Sequence, residues 1–521
     1  MDREKLFFVN PATNAQFGSV NMNTPEEVQQ VVRDMRKAFP AWSGKSVKER
    51  VDVLYKFQRV LIERRDEISD VLNQDCGKSR QDGLIELFVA VDMLAQYRGR
   101  AEKWLRRERV SSGLYLFKRC YVEHRPHGVT AIISPWNYPL TLSLPPMIAA
   151  LLAGNTVVLK PSEVTAATGV LIESLIQDVP ELASFARVVH GDGKAGAALV
   201  AAKPDYIFMT GSTATGRKIM QTAAESLTPV ALELGGKDAM IVLEDADLPA
   251  AARWGAWGAF FNTGQTCMSV ERVYVVASKY DEFVRLAVQQ ARELTSGYSN
   301  ELNSPYFMGP VTDPRQVRII DDHLQDALDK GARLLAGGKR DGMFYDPIVL
   351  VDVDHSMKIM REETFGPVMP IAKVQDEEEA IRLANDNAYG LGASVWSSNI
   401  AHAQRAAERV EAGSIIVNDS IAQFGIPMLP FGGTKDSGFG RTHGKEGLLQ
   451  FTRPYSYAVG GAPVKLDVAT LLREKGHYEL TAAIMGVLYG TTLQQKWEAL
   501  SQFLRRKKTA HAPAAVLGSE S

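Results

Sequence analysis

The chain has 521 residues, 45% of them hydrophobic and 23% charged, with a formal net charge of −2. That is the balance of a globular protein with room for two or three domains, and it offers no global basic field for nucleic acid. Cys76, Cys120 and Cys267 form neither a disulfide framework nor a CxxC pair, which points to a reducing, cytoplasmic compartment; no secretory signal stands in "MDREKLFFVNPATN", and no apolar run is long enough to span a bilayer.

In chain order, the first hundred residues read as mostly helical. Thr24 opens "TPEEVQQVVRDMRKAFPAW" with a capping pattern, and "SVKERVDVLYKFQRVLIERRDEISDVL" repeats apolar residues at helical spacing. Residues 113–126, "GLYLFKRCYVEHRP", read as a β-ribbon. Then short apolar strands alternate with helices: "GVTAIIS", "NTVVLKPS" reached through the helix-like "LPPMIAALLAG", "FARVVHG", "DYIFMTGS" and "PVALELGG". A second series runs through "DAMIVLED", "RVYVVAS", "YDPIVLVDV", "PVMPIAKV" and "GASVWSS". This alternation predicts βαβ units and parallel sheets, in two α/β lobes that meet near Gly235 and Gly236. The last sixty or so residues differ from both lobes. They hold "VKLDVATLLREKG", an apolar run over 480–489, and "LQQKWEALSQFLRRKK", in which Leu493, Trp497, Leu500, Phe503 and Leu504 share one helical face. The end, "TAHAPAAVLGSES", has the composition of a disordered terminus.

Several short motifs carry chemistry, and each has a plain alternative when read alone. In "FMTGSTATGRKI", Gly211 and Gly216 flank a strand-to-helix turn whose backbone N–H groups suit a phosphate. Arg217 and Lys218 stand where a P-loop has Lys then Ser/Thr, so that reading fails, and a simple corner explains the motif as well. "LKPSE" puts Lys160 and Glu163 beyond the carboxyl end of a strand, where ligands bind in parallel sheets; it also reads as a solvated helix start. Asn137 in "ISPWNYPL" is a candidate amide donor to an oxyanion, or a turn residue. Glu233 in "LELGGKD" ends an apolar strand, where a carboxylate suits general-base work or needs a basic partner. "EETFGPV" reads as a loop. Cys267, in "NTGQTCMS", is a nucleophile or a small buried residue. No GxSxG elbow, HExxH motif or i,i+4 histidine pair is present, so no metal is expected.

Together these motifs, with "PFGGTKDSGFGR", resemble the aldehyde dehydrogenase superfamily in order and spacing over roughly residues 7–457. The resemblance implies a two-lobed Rossmann-like α/β fold with a small β oligomerisation extension. The domains it implies are an NAD-binding domain over 1–111 and 127–235, the extension over 112–126 and 452–462, a catalytic domain over 236–451, and an additional helical tail over 463–521. It implies Cys267 as nucleophile, forming a thiohemiacetal and then a thioester, Asn137 and the Cys267 N–H as oxyanion donors, and Glu233 as the base for hydrolysis to the acid. Implied cofactor contacts are Ser134, Trp136, Lys160, Ser162, Glu163, Gly211, Ser212, Gly216, Gly235, Glu363 and Phe365. The charge of Glu163 against a 2′-phosphate favours NAD over NADP. The extension implies a homodimer or homotetramer.

The aldehyde itself is not legible. Tyr138, Leu142, Pro145, Met147, Phe424 and Met428 are candidates for the substrate tunnel, all apolar or nearly so, with no evident arginine clamp. This favours an apolar aliphatic or aromatic aldehyde over a semialdehyde such as succinic semialdehyde. The tail, with Arg505, Arg506, Lys507 and Lys508, is a candidate for contact with an anionic membrane surface or with a subunit.

Overall fold

A computed structural model describes residues 3–113, 115, 118–460 and 477–509, with backbone alone for 503–509. The chain divides into two units, Met1–Glu108 with Val122–Tyr455 and Arg109–Tyr121 with Ser456–Ser521.

The larger unit opens on an antiparallel hairpin, β1 (Lys5–Val9) and β2 (Gln16–Asn21), inside the region expected to be mostly helical. "KLFFV" alternates exposed and half-buried positions over only five residues, too short a stretch to stand out against the long helical patterns that follow. Helices α1 (Pro25–Ser43), α2 (Val47–Glu63), α3 (Arg65–Cys76) and α4 (Arg80–Arg98) come next. The capping box at Thr24 forms: its hydroxyl accepts the Glu27 N–H and the Glu27 carboxylate accepts the Thr24 N–H. The second helical stretch divides at Arg64, whose guanidinium holds Glu67 and Asp178, both at 2.7 Å.

Two sheets follow. The first uses β5 (Val129–Ile133), β6 (Thr156–Lys160), β7 (Ala186–Val188), β8 (Tyr206–Thr210) and β9 (Val230–Glu233), with helices α5 (Leu144–Ala153) and α6 (Thr213–Ala224) among its connections. The second uses β10 (Asp238–Val242), β11 (Val270–Val276), β12 (Arg333–Ala336), β13 (Ile348–Val351), β14 (Val368–Val374), β15 (Gly392–Trp396) and β16 (Ser414–Val417), with α7 (Leu248–Phe260) and α8 (Pro314–Asp329). A late strand, β17 (Gly438–Phe439), returns to the first sheet, pairing antiparallel with β9 so that Gly438 faces Glu233. The orders are β17-β9-β8-β5-β6-β7 and β12-β13-β14-β11-β10-β15-β16, parallel except for β17 and β12.

Both sheets are covered on two faces, which is why their central strands are mostly apolar. Along β5, Val129 and Ala131 enter one core and Ile132 the other; along β10, Met240 and Val242 enter one and Ile241 the other. The strands anticipated from apolar runs are present, whereas β12, β16 and β17 were not anticipated. β17 is two residues long, and "RLLA" of β12 is half exposed at the sheet edge, so neither offers a periodic signal.

This topology sets the polarity of the site. The first sheet presents the carboxyl ends of β5, β6, β8 and β9, which lead into Asn137, Glu163, Ser212 and Glu233. The second presents the loops that enter β11 and β14, which carry Cys267 and Glu363.

The strands β3 (Glu108–Val110), β4 (Lys118–Pro126) and β18 (Thr452–Gly460) form a three-stranded sheet in the order β18-β4-β3. Within the smaller unit, the Tyr121 and Tyr457 rings stack at 5.3 Å. Helices α9 (His477–Tyr489) and α10 (Leu493–Thr509) form a hairpin that buries Ala483 and Ala499. Met485, Leu493 and Trp497 remain exposed. Residues 461–476, the end from 510 and the side chains of 503–508, on which part of the extension and tail reading rests, lie outside the described residues. Among the described residues, no helix is long and apolar enough to cross a membrane, and no cluster of three His, Cys, Asp or Glu residues gathers for a metal.

Candidate active site

The segment before β11 is a strained turn. Asn262 and Thr263 have φ of 52° and 60°, in the left-handed region, followed by Gly264 at 70°. For a β-branched residue such as Thr263 this conformation is a true outlier, so the surroundings must enforce it. The Thr263 hydroxyl donates to the Gly309 carbonyl at 3.0 Å, Gln265 Nε2 donates to the Asn262 carbonyl at 3.0 Å, and Gln265 Oε1 accepts the Thr312 N–H at 2.8 Å. Gly264 presses against the EETFGP loop: a Cβ there would lie 2.1 Å from the Gly366 carbonyl oxygen. The turn therefore fits only glycine at its tightest point, and it delivers Cys267 at a defined place.

Asn137 is fixed from two sides. Its Nδ2 donates to the Gln265 carbonyl at 3.0 Å, which settles the orientation of the amide and leaves its second N–H bond for the site. Behind it, Lys78 and Glu86 form a buried ion pair. Lys78 Nζ donates to the Asn137 carbonyl at 2.9 Å, and Glu86 Oε2 accepts the Leu140 and Thr141 N–H groups at 3.2 Å each. Removing one member of such a buried pair costs about 3–5 kcal/mol, because the other charge is left without compensation. Sequence reading missed both residues; 59 positions separate Lys78 from Asn137, and nothing local marks the contact.

Glu233 is buried at the end of β9. Neither carboxylate oxygen has a hydrogen-bond partner among the described residues. Burial pushes its carboxyl well above the ordinary range, opposed by the charge of Arg441. Burial also pushes the Cys267 thiol up, and the Asp238, Glu363 and Glu233 carboxylates add to the effect. The resting sulfur is thus a protonated thiol.

A second buried pair, Lys237 with Glu271, supports the EETFGP loop. Glu271 accepts the Thr364 and Phe365 N–H groups at 2.7 and 2.8 Å, and Lys237 donates to the Thr364 hydroxyl at 2.9 Å. Glu363 Oε1 accepts the Gly236 N–H at 3.0 Å. Gly235 makes room for it, since a Cβ there would meet a Glu363 carboxylate oxygen at 2.3 Å. Burial, followed by the charge of Glu271, moves the Glu363 carboxyl up to about 8.

These groups converge on a cleft of about 720 Å³, whose wall includes Trp136, Asn137, Gly211, Ser212, Glu233, Gly235, Cys267, Glu363 and Phe365. The Trp136 and Phe365 rings meet edge-on at 5.6 Å. Gln316 and Ile319 of α8 also line it and were not anticipated. Other expected cofactor residues stand off this wall. Ser134 spends its hydroxyl on Ser143 at 2.6 Å, Ser162 caps a turn through the Val164 N–H, and Gly216 packs α6 against Leu234. Lys160 and Glu163 pair at 3.1 Å at the end of β6. Ser212, at the N-terminus of α6, lies on the cleft wall where a phosphate is favoured, and the Trp136 and Phe365 rings, set at right angles, add an aromatic wall.

A tunnel of about 780 Å³ also reaches Cys267. Tyr138, Leu142 and Phe424 lie on its wall as expected; Met428 does not, Met147 is in the core, and Pro145 lines a different cavity. Trp257 and Phe261 at the end of α7, Ile421, and Ile85 and Val89 of α4 complete it. On helices these residues have the periodicity of core positions, so the sequence does not mark them as tunnel wall. Among the described residues, the charged ones on the wall are Asp82 and Glu86.

Comparison with known proteins accords with this geometry. Residues 1–456 match the family model described as the aldehyde dehydrogenase family. The chain is 42% identical over 487 residues to 4,4'-diapolycopene aldehyde oxidase of a Methylomonas species, covering 92% of this chain and 91% of that one. It is 36% identical over 457 residues to aminoaldehyde dehydrogenase 1, peroxisomal, of Pisum sativum, covering 85% and 90%. A crystal structure of betaine aldehyde dehydrogenase from Staphylococcus aureus in complex with NAD+ superposes with a TM-score of 0.84 at 30% identity, covering 89% of this chain and 96% of the other. Motifs, two-sheet fold and whole-length similarity agree: the chain belongs to the aldehyde dehydrogenase family and is an oxidoreductase that oxidises aldehydes with NAD(P)+.

Proposed function

We propose that Cys267, Asn137 and Glu233 perform the oxidation; the observation that carries this is their convergence on one cleft wall. Cys267 Sγ adds to the aldehyde carbon once its proton is lost. The free N–H bond of the Asn137 amide and the Cys267 N–H stabilise the oxygen that becomes negative. Bound in the cleft, the dinucleotide supplies the hydride acceptor, with Ser212, Glu363, Phe365 and Trp136 orienting it. Glu233 then takes a proton from the water that hydrolyses the Cys267 thioester. A carboxyl raised by burial is suited to this near neutral pH. We assign the first sheet to cofactor binding and the second to the nucleophile.

Glu163 supports NAD as the preferred cofactor, since its carboxylate at the end of β6 repels a 2′-phosphate. Glu163→Gln raises kcat/KM for NADP relative to NAD by about tenfold, or 1.4 kcal/mol; an unchanged ratio in initial rates with the two cofactors contradicts the assignment.

For the substrate, the tunnel wall supports an apolar aldehyde. Among the described residues its wall has no Lys or Arg to meet a carboxylate, and Asp82 repels one. The name of the 42% identical relative points the same way. Each further methylene buried in the tunnel contributes about 0.8 kcal/mol, so kcat/KM climbs about fourfold per CH₂ along a series of straight-chain aldehydes until the tunnel is full. Succinic semialdehyde turning over faster than these aldehydes would establish the semialdehyde reading instead.

We read the protein as cytoplasmic and homo-oligomeric. The exposed Leu493 and Trp497 on the tail hairpin support a covering subunit over a membrane surface.

A further inference from the structure

A third, small cavity also meets the site at Cys267. Its titratable lining residues among those described are Cys267, Glu233 and His443. His443 follows the GGTKDSGFGR motif and plays no part in the chemistry derived above. It is 1% exposed, and its ring is held against Phe424 and Phe431, with centroids at 4.7 and 6.4 Å. Its Nδ1 is buried without a hydrogen-bond partner among the described residues, as are both oxygens of Glu233. Its backbone sits at φ 63° and ψ 167°, a region nearly reserved for glycine. Holding a side chain there costs on the order of 1–3 kcal/mol.

An unpaired buried polar atom costs about 1–3 kcal/mol. Here three such atoms belong to two residues on the wall of one cavity, and a buried water is the partner such atoms ordinarily take. We propose that His443 is a positioning residue for hydrolysis: His443 Nδ1 and the Glu233 carboxylate hold between them the water that attacks the Cys267 thioester. This rests on the reading of Glu233 as the base. In the step, the water oxygen bonds to the thioester carbon and one water proton passes to Glu233. The C–S bond breaks with its electron pair returning to the Cys267 sulfur. His443 takes no proton. Burial holds its imidazole down at about 4, so it is neutral near pH 7 and orients the water without adding charge.

The charged and titratable groups acting on Glu233 are Arg441, which favours its ionised form, and Cys267 and Tyr206, both of which feel its charge. A hydrogen bond relayed from His443 through water also favours the carboxylate. Losing it raises the Glu233 carboxyl, so the acid limb of turnover moves to higher pH.

The test uses His443→Gln and His443→Gly in the full chain, with Glu233→Gln in parallel and stopped-flow NADH absorbance as readout. Glycine accepts φ 63° freely, so it separates loss of the ring from loss of the fold. The expected result for both His443 variants is a retained NADH burst, steady-state turnover reduced about tenfold or more, and an acid limb displaced upward by about half a pH unit. Turnover and limb unchanged in both variants overturn the proposal. So does a burst that falls in step with turnover, or loss of NAD binding in both, since either makes the role structural. If Glu233→Gln loses its burst along with turnover, the base assignment has failed. If it keeps the burst while the His443 variants match the unaltered enzyme, only the histidine has failed.

Discussion

Cys267→Ala abolishes NADH formation with every aldehyde, a loss of at least about 10⁴-fold in kcat, while NAD+ still binds. The replacement removes Sγ and little else, because the turn that carries residue 267 is held by Gln265, Thr263 and Gly264 and not by the thiol. Cofactor affinity by tryptophan fluorescence therefore stays within about twofold, Trp136 being on the cleft wall. Residual turnover above about 1% excludes Cys267 as nucleophile. In the unaltered enzyme the burst rate carries a further signature. Burial and three carboxylates raise the thiol above its ordinary value, and the thiolate is the reactive form. Below that raised value the thiolate fraction grows with pH, by less than tenfold per unit where Asp238 and Glu363 themselves ionise, so the burst accelerates with pH, and a burst rate that falls between pH 6 and 9 contradicts a neutral resting thiol.

Glu233→Gln separates the two halves of the reaction. Gln keeps the shape of the side chain at the end of β9 but cannot take the proton from water. The NADH burst persists at one equivalent per site, and steady-state turnover falls by about 10²–10⁴-fold. Acyl-enzyme accumulates and is visible as a mass increase on the peptide that contains Cys267. Stability changes little or rises, because an unpartnered buried carboxylate is replaced by a neutral amide. A variant that loses burst and turnover together shows instead that Glu233 serves the first half-reaction.

The parts of this molecule that were legible in the sequence are those whose signal is local. A strand covered on both faces is a mostly apolar run, so β5, β6, β8, β10, β11 and β14 stand out, even with Glu271 and Arg272 inside β11. The motifs around Asn137, Glu233 and Cys267 each keep a plain alternative and "EETFGPV" reads as a loop, so only their joint order and the family resemblance single them out. What was not legible depends on distant partners. The Lys78–Glu86 and Lys237–Glu271 pairs look in sequence like ordinary solvated charges, and only the fold buries them. Trp257 and Phe261 have the spacing of core residues, and only the arrangement of α7, α4 and the loop at Ile421 makes them a tunnel wall. A lone histidine such as His443 carries no pattern at all. β17 is two residues long, and its pairing with Glu233 across more than two hundred positions has no local cue.

Cys267 stands where three separate spaces meet: the cleft, the tunnel and the cavity that holds His443. On the proposed reading of the tunnel as the substrate's place, an acyl chain longer than the tunnel is no obstacle to its own release, because the hydrolytic water is held in the cavity beside His443. On that reading, the tunnel has to hold only the reactive end of such a chain.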